Sequence, residues 1–361
     1  MKILRTLLLA LVCCGVQAHA APPDHVDLTW MSIANMYFEV GDKRIMADGY
    51  FTRVPQEIFY GGGGGLKNTH KPFTPHVAAV KQVMAALGGN RSVNLLLTGH
   101  SHFDHSFDTA TWSSLTKAPI IGSMTTCLQA QAERIPASRC TTVVGGEKIS
   151  LDKDIDMYVI RWNHSGNSKD NPEQHDPIEL SEPPHPDPIT GGLLAGVAED
   201  FPNGGGNRAY LFVVDGRQDR FSWLFTDSAG FADINEPIVV NGVNYGAPLD
   251  NLRLAMKSAG VEAVDLWIAT GGVPVAQLVL PVAKPKAYLP VHWDGLWYPF
   301  LKDVPYKWVD PPLEALLKDQ GINLVRPLQY MDKWRLDVNG VHPVANGKVK
   351  KKLGFTVVKQ Q

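Results

Sequence analysis

Cysteine is scarce in this chain. Four are present among 361 residues, and two of them, Cys13 and Cys14, fall in the apolar stretch near the start. Cys127 and Cys140 remain. An oxidising compartment permits one bond between them, and two separate thiols fit the sequence equally well. An excess of charge of one sign is also missing. The formal net charge is -2, which gives no electrostatic case for a nucleic-acid partner. Beyond residue 20, no segment is long and apolar enough for a membrane helix, so no stable membrane insertion is expected. There is no internal repeat and no clear linker. The five glycines Gly61 to Gly65 lack the Gly-Lys-Ser/Thr ending of a phosphate-binding loop and read as a flexible surface loop. The basic run Lys348 to Lys352 is one short cluster and reads as a solvated tail.

What is present describes an exported globular protein. Lys2 and Arg5 precede an apolar core from Leu7 to Cys14, and Ala18-His19-Ala20 follows as a cleavage signal. Residues 1–20 therefore read as a secretory signal peptide, and the expected location is secreted or periplasmic. With 44% hydrophobic and 19% charged residues, the remainder, 21–361, can bury a sizeable core. It reads as one domain.

Strand-like material runs from Val26 to Phe38 and, after a turn at Gly41-Asp42-Lys43, from Arg44 to Ala47. Helical spacing covers Pro75 to Leu87, and the short apolar run Val93 to Leu97 reads as a buried strand. Ser106 to Leu115 and Met124 to Arg134 read as helices, with a strand at Pro119 to Ile121. Thr141 to Val144, Lys148 to Leu151 and Ile155 to Arg161 read as three antiparallel strands. Gly166 to Asn207, dense in Pro, Gly, Asp, Glu and His, is an irregular insertion over or beside the site. A hairpin around Gly216, then strands at Leu266 to Ala269 and Ala287 to Val291 alternating with helices, complete an α/β pattern of helices covering sheets.

The chemistry sits in His100-Ser101-His102-Phe103-Asp104-His105, just past the strand ending at Leu97. Two residues apart in extended chain, His100 and His102 leave the same side. Asp104 and His105 follow at the turn into a helix. One tight loop can thus aim two imidazoles at one point, and a carboxylate and an imidazole at a second. Neutral imidazoles and carboxylates suit a borderline divalent cation such as zinc.

The run resembles the H-x-H-x-D-H signature of the metallo-β-lactamase fold superfamily. That resemblance covers nearly all of residues 21–361 and implies a four-layer αβ/βα sandwich with a long loop insertion. It implies further ligands at the ends of later strands: His164, Asp227 and His292. His100, His102 and His164 would hold one metal; Asp104, His105 and His292 would hold a second, with Asp227 bridging. Two divalent ions, Zn2+ by donor type, are the expected cofactors. Asp104 would also be catalytic, orienting a metal-bridged hydroxide and carrying a proton to the leaving group. Asn163-His164-Ser165 matches a glycosylation acceptor too, which conflicts with a buried ligand.

The expected reaction is hydrolysis of an ester, lactone, thioester or phosphodiester bond in a small molecule. A zinc-dependent β-lactamase is the nearer alternative, but that relative uses Cys where this chain has Asp227. The alternatives of another class are an iron-dependent oxidoreductase, which usually carries Glu where this chain has His102, and a metal-binding protein without catalysis. Trp293, Trp297, Tyr298 and Phe300 follow His292 and form either an apolar substrate wall or part of the core. His70, His76, His175 and His185 read as solvated loop residues. The sequence does not set the oligomeric state.

Overall fold

The structure is a computed structural model and describes residues 21–55, 71–164, 175–196, 199–228 and 232–358. Residues 1–20, read above as a signal peptide, the glycine run, His70 and the first part of the insertion lie outside the described residues.

Two sheets face one another. The first has eight strands: β1 Val26–Trp30, β2 Met36–Val40, β3 Lys43–Ala47, β4 Leu95–Leu97, β5 Ile120–Gly122, β6 Cys140–Thr142, and, from later in the chain, Asp332–Asp337 and Gly340–Val344. The second has seven: β7 Lys148–Asp152, β8 Ile155–Trp162, β9 Asn207–Asp215, β10 Arg220–Phe225, β11 Leu266–Ala269, β12 Ala287–Pro290 and β13 Asn323–Leu324. The late strands of the first sheet, Asp332–Asp337 and Gly340–Val344, are β14 and β15; β14 pairs with β1.

β8 shows why the sheets stack. Its side chains alternate, and both faces are buried. Met157 and Val159 point into the space between the sheets, while Tyr158, Ile160 and Trp162 meet helices on the other side. Between the sheets, Phe38 packs against Phe212 and Trp223 with both ring-centre distances at 5.7 Å. The outer helices are α1 Val77–Leu87, α2 Phe103–Ser106, α3 Thr109–Thr116, α4 Met124–Ala132, α5 Pro248–Ala259, α6 Val273–Ala283, α7 Pro311–Asp319 and α8 Gly347–Lys352. α5, α6 and α7 cover the second sheet with Leu252, Val279 and Leu313 among their buried residues. The result is helix, sheet, sheet, helix.

Several expectations need correction. The strand at 140–142 does not join the next two as an antiparallel set; β6 pairs parallel with β5 in the first sheet, while β7 and β8 pair antiparallel in the second. The helix expected over 106–115 is two, α2 and α3, with Phe107 and Asp108 between them. The Asp108 carboxylate accepts the N–H groups of Phe51 and Thr52, which fixes the break. Val26 to Phe38 is likewise two strands, separated by a turn with positive φ at Ser32 and Ile33. Finally, Lys348 to Lys352 is solvated only in part: Lys348, Lys351 and Lys352 are exposed, but Lys350 is not. The run lies in α8, and Lys350 is 2% exposed with its ammonium 2.5 Å from Asp332.

The insertion carries little regular structure in its described part, only Leu193–Leu194 paired with Pro72–Phe73. It is nonetheless docked on the site: Ser101 donates to the Pro202 carbonyl, and Gln129 to that of Asp200. Asn207, its expected last residue, instead opens β9. Cys127 and Cys140 are bonded to each other, with Cα atoms 5.5 Å apart.

Candidate metal centre

All the candidate ligands follow strand ends at one edge of the sandwich. The first run follows β4; His164 follows β8, Asp227 follows β10 and His292 follows β12. β8 and β10 both pair antiparallel with β9, and β11 and β12 run parallel to β10, so the three strands end on the same edge. His292 has φ +64, and its N–H donates to the Ile33 carbonyl in the β1–β2 turn at 2.8 Å.

The side chains converge in two triplets: His100, His102 and His164, then Asp104, His105 and His292. In the second, the Asp104 carboxylate lies 3.2 Å from His105 Nε2 and 3.1 Å from His292 Nε2, and those two nitrogens are 3.2 Å apart. Donors about 2.0 Å from a tetrahedral ion stand roughly 3.3 Å apart, so this triangle fits one. In the first, His100 Nε2 and His102 Nδ1 are 3.1 Å apart, and the His164 ring centre is 4.9 and 4.5 Å from those of His100 and His102. His102 Nε2 is buried without a hydrogen-bond partner among the described residues. Imidazoles crowded this closely suit a shared cation.

Asp227 spans the two triplets from the Nδ1 edges of His100 and His105, opposite the Nε2 atoms that face the other donors. Its carboxylate is 2.9 Å from His100 Nδ1 and 3.2 Å from His105 Nδ1, and it also accepts from Asn207. Together with His100 and His105 it forms a third possible ligand group. Gly99 is what admits it: a Cβ there would fall 2.0–2.3 Å from the Asp227 carboxyl atoms.

Electrostatics prepares these groups for a cation. Burial, then the neighbouring imidazoles, lowers the pKa of His100, His102 and His164, so all three present lone pairs at neutral pH. Burial also disfavours a charged His105, but the carboxylates of Asp104, Asp48 and Asp227 outweigh it and raise its pKa well above the usual range. Burial opposes ionisation of Asp104 and Asp227; His105 with His292, and His100 with His105, overcome it and hold both acids below the usual carboxylate range. Asp48, pressed by burial and then by the Asp227 charge, is pushed up to about 7.

Sandwich order, run position and strand-end ligands together decide the architecture. The chain has the metallo-β-lactamase fold. Among the described residues the two cysteines are bonded to each other, so this version of the metallo-β-lactamase fold has no thiolate near its ligands.

No family model matches the chain. It is similar to a UPF0173 metal-dependent hydrolase of Pyrobaculum aerophilum, 25% identical over 142 residues, 39% of this chain and 52% of that protein. A UPF0173 metal-dependent hydrolase of Pyrobaculum islandicum is 22% identical over 142 residues, with the same shares. The chain spans about half the length of the curated relatives it matches. Among solved structures, the metallo hydrolase Igni18 of Ignicoccus hospitalis superposes with TM-score 0.48 at 13% identity, over 87% of this chain and 99% of that one. The metallo-β-lactamase fold protein YhfI of Bacillus subtilis gives TM-score 0.45 at 10% identity, over 86% and 99%.

Of the aromatic residues after His292, Trp293 stacks on Trp30 and Trp297 on Phe103, both half-buried. Phe300 is core, against Phe51 and Tyr330. His76 and His185 are exposed, but His175 is not a remote loop residue: its Nδ1 is 3.3 Å from His164 Nδ1. Sequence reasoning also passed over Asp48, 2.9 Å from His105 Nδ1, and Asn207. The available signal for Asp48 was an Asp-Gly pair directly after β3.

Proposed function

We propose that this chain is an exported hydrolase using two divalent ions, zinc by donor chemistry, on an ester, lactone, thioester or phosphodiester bond of a small molecule. The observation that carries this reading is that one six-residue run contributes donors to two adjacent triplets. When bound, such ions act as Lewis acids and bring the pKa of a water toward about 7.

The chain's own residues supply the rest. His100, His102 and His164 offer neutral nitrogens for one ion, and Asp104, His105 and His292 offer donors for the other. Asp227 touches Nδ1 of both His100 and His105, which suits it to orient one ring of each triplet. Asp104 stays ionised, which suits it to orient an attacking water and then pass a proton to the leaving group. Entry is from the side of His292, whose ring is 26% exposed while that of His105 is 1% and that of His100 is 0%. There the following segment shows Tyr298, Leu301 and Tyr306 to solvent, which favours a substrate with an apolar acyl or aryl part. The leader-like residues 1–20 and the Cys127–Cys140 bond support export to an oxidising compartment.

The test pairs metal analysis with a panel of aryl esters, lactones, thioesters, nitrocefin and bis-aryl phosphodiesters. Two equivalents of metal with turnover of an ester-type or phosphodiester substrate are expected. Asp104→Asn should lose about 10²–10⁴ in kcat. Metal-loaded protein inert across the panel, or Asp104→Asn with full occupancy and full turnover, overturns the reading.

A further inference from the structure

His100 and His105 are steadied at Nδ1 by carboxylates, those of Asp227 and Asp48. His292 has no such prop among the described residues. Its contacts with Asp104 and His105 are both made by Nε2, and its ring is 26% exposed. What places that ring is therefore its backbone.

The backbone there is strained. His292 has φ +64, in the left-handed region, which a histidine holds only when its surroundings impose it. The imposing bond is its N–H to the Ile33 carbonyl at 2.8 Å. That carbonyl belongs to a turn that is itself left-handed, with φ +106 at Ser32 and +48 at Ile33. A β-branched residue such as Ile33 is poorly suited to that conformation. Three strained residues thus gather around one carbonyl, and the turn that carries it must be held.

Asp294 holds it. It lies two residues past His292 and is 0% exposed. Its two carboxylate oxygens accept the Ile33 N–H at 2.9 and 3.1 Å, and the Tyr330 hydroxyl donates to it at 2.6 Å. The Trp30 indole N–H donates to the Ile33 carbonyl at 2.9 Å from the other side. The bonds close a loop: Asp294 grips Ile33 by its N–H, and Ile33 grips His292 by its carbonyl. A carboxylate is costly to bury unless hydrogen bonds satisfy it. Here it serves the amide of a residue 261 positions earlier in the chain, in the turn that faces the ligand.

We propose that Asp294 is a positioning residue for the second ion, acting through Ile33 to set the backbone of His292 and so the third corner of the Asp104, His105 and His292 triangle. The inference rests on the two-ion reading given above. Its effect is local, because His100, His102 and His164 follow β4 and β8, strands outside this bracket.

The full chain, stripped of metal, is titrated with Co2+ and followed by visible absorption and by competition with a chromophoric chelator. Wild type should take two equivalents, and His292→Ala identifies the one that its triplet holds by weakening that one alone. Asp294→Ala should weaken the same equivalent at least about ten-fold, shift its absorption bands and leave the other equivalent unchanged. Asp294→Asn keeps an oxygen for the Ile33 N–H and should recover most of the loss. If Asp294→Ala does not fold, Asp294→Asn is compared with wild type, and a smaller shift confined to the same equivalent is expected. Equal weakening of both equivalents, or of neither, overturns the proposal and leaves the two-ion reading standing. A wild type that takes fewer than two equivalents overturns both.

Discussion

The Asp48 carboxylate lies 2.9 Å from Nδ1 of His105, on the ring edge opposite the Nε2 that meets Asp104 and His292. It also accepts the Gly99 N–H at 3.1 Å. One carboxylate thus fixes both a ligand ring and the backbone that enters the six-residue run. Asp48→Asn should bind metal about 10–100-fold more weakly while remaining folded. Competition with a chromophoric chelator measures this; wild-type affinity in the variant would remove Asp48 from the centre.

The Lys350–Asp332 pair predicts an asymmetry in stability. Both side chains are buried, and Asp332 also accepts the N–H groups of Leu328 and Gln329. Lys350→Met strands a buried carboxylate and should cost about 3–5 kcal/mol. Adding Asp332→Asn should recover part of that loss. Denaturant melts of the single and double variants decide it, and additive losses would show that the pair is not coupled.

A pH dependence follows from Glu133, which caps the C-terminal end of α4. Burial first, then the Asp108 charge, pushes its carboxyl up to about 8 from an ordinary 4.5. The folded state therefore holds a proton that the unfolded chain releases. Its stabilising contribution is full below the unfolded value and is lost as pH rises through about 8. Glu133→Gln stays neutral throughout. Its Tm advantage over the wild type should be smallest near pH 5 and largest near pH 9; a gap that does not vary with pH would refute the assignment.

Much of this was legible because strands and ligands obey local rules. β8 and β10 announce themselves by apolar runs, and His164 and Asp227 sit just beyond them. What sequence could not carry is which sheet a strand joins. β6 is followed in the chain by β7 and β8, yet it hydrogen-bonds to β5 in the other sheet, and only tertiary pairing decides that. Lys350 was unreadable for a similar reason, because its partner Asp332 lies 18 positions earlier. Asp48 and His175 act through a neighbouring ring and carry no motif of their own. The unbonded or bonded state of Cys127 and Cys140 needed distances that spacing does not supply.

The bond between those cysteines also guards the rim of a sheet. Cys140 opens β6, the last strand of its sheet, and Thr141 and Thr142 beside it are exposed. An edge strand offers unpaired N–H and C=O groups to any passing chain. Tethered to Cys127 in α4, this one is held in place on the sheet. The bond joins residues 13 apart in sequence, so what it fixes is local, the seat of one edge strand against the helix beside it.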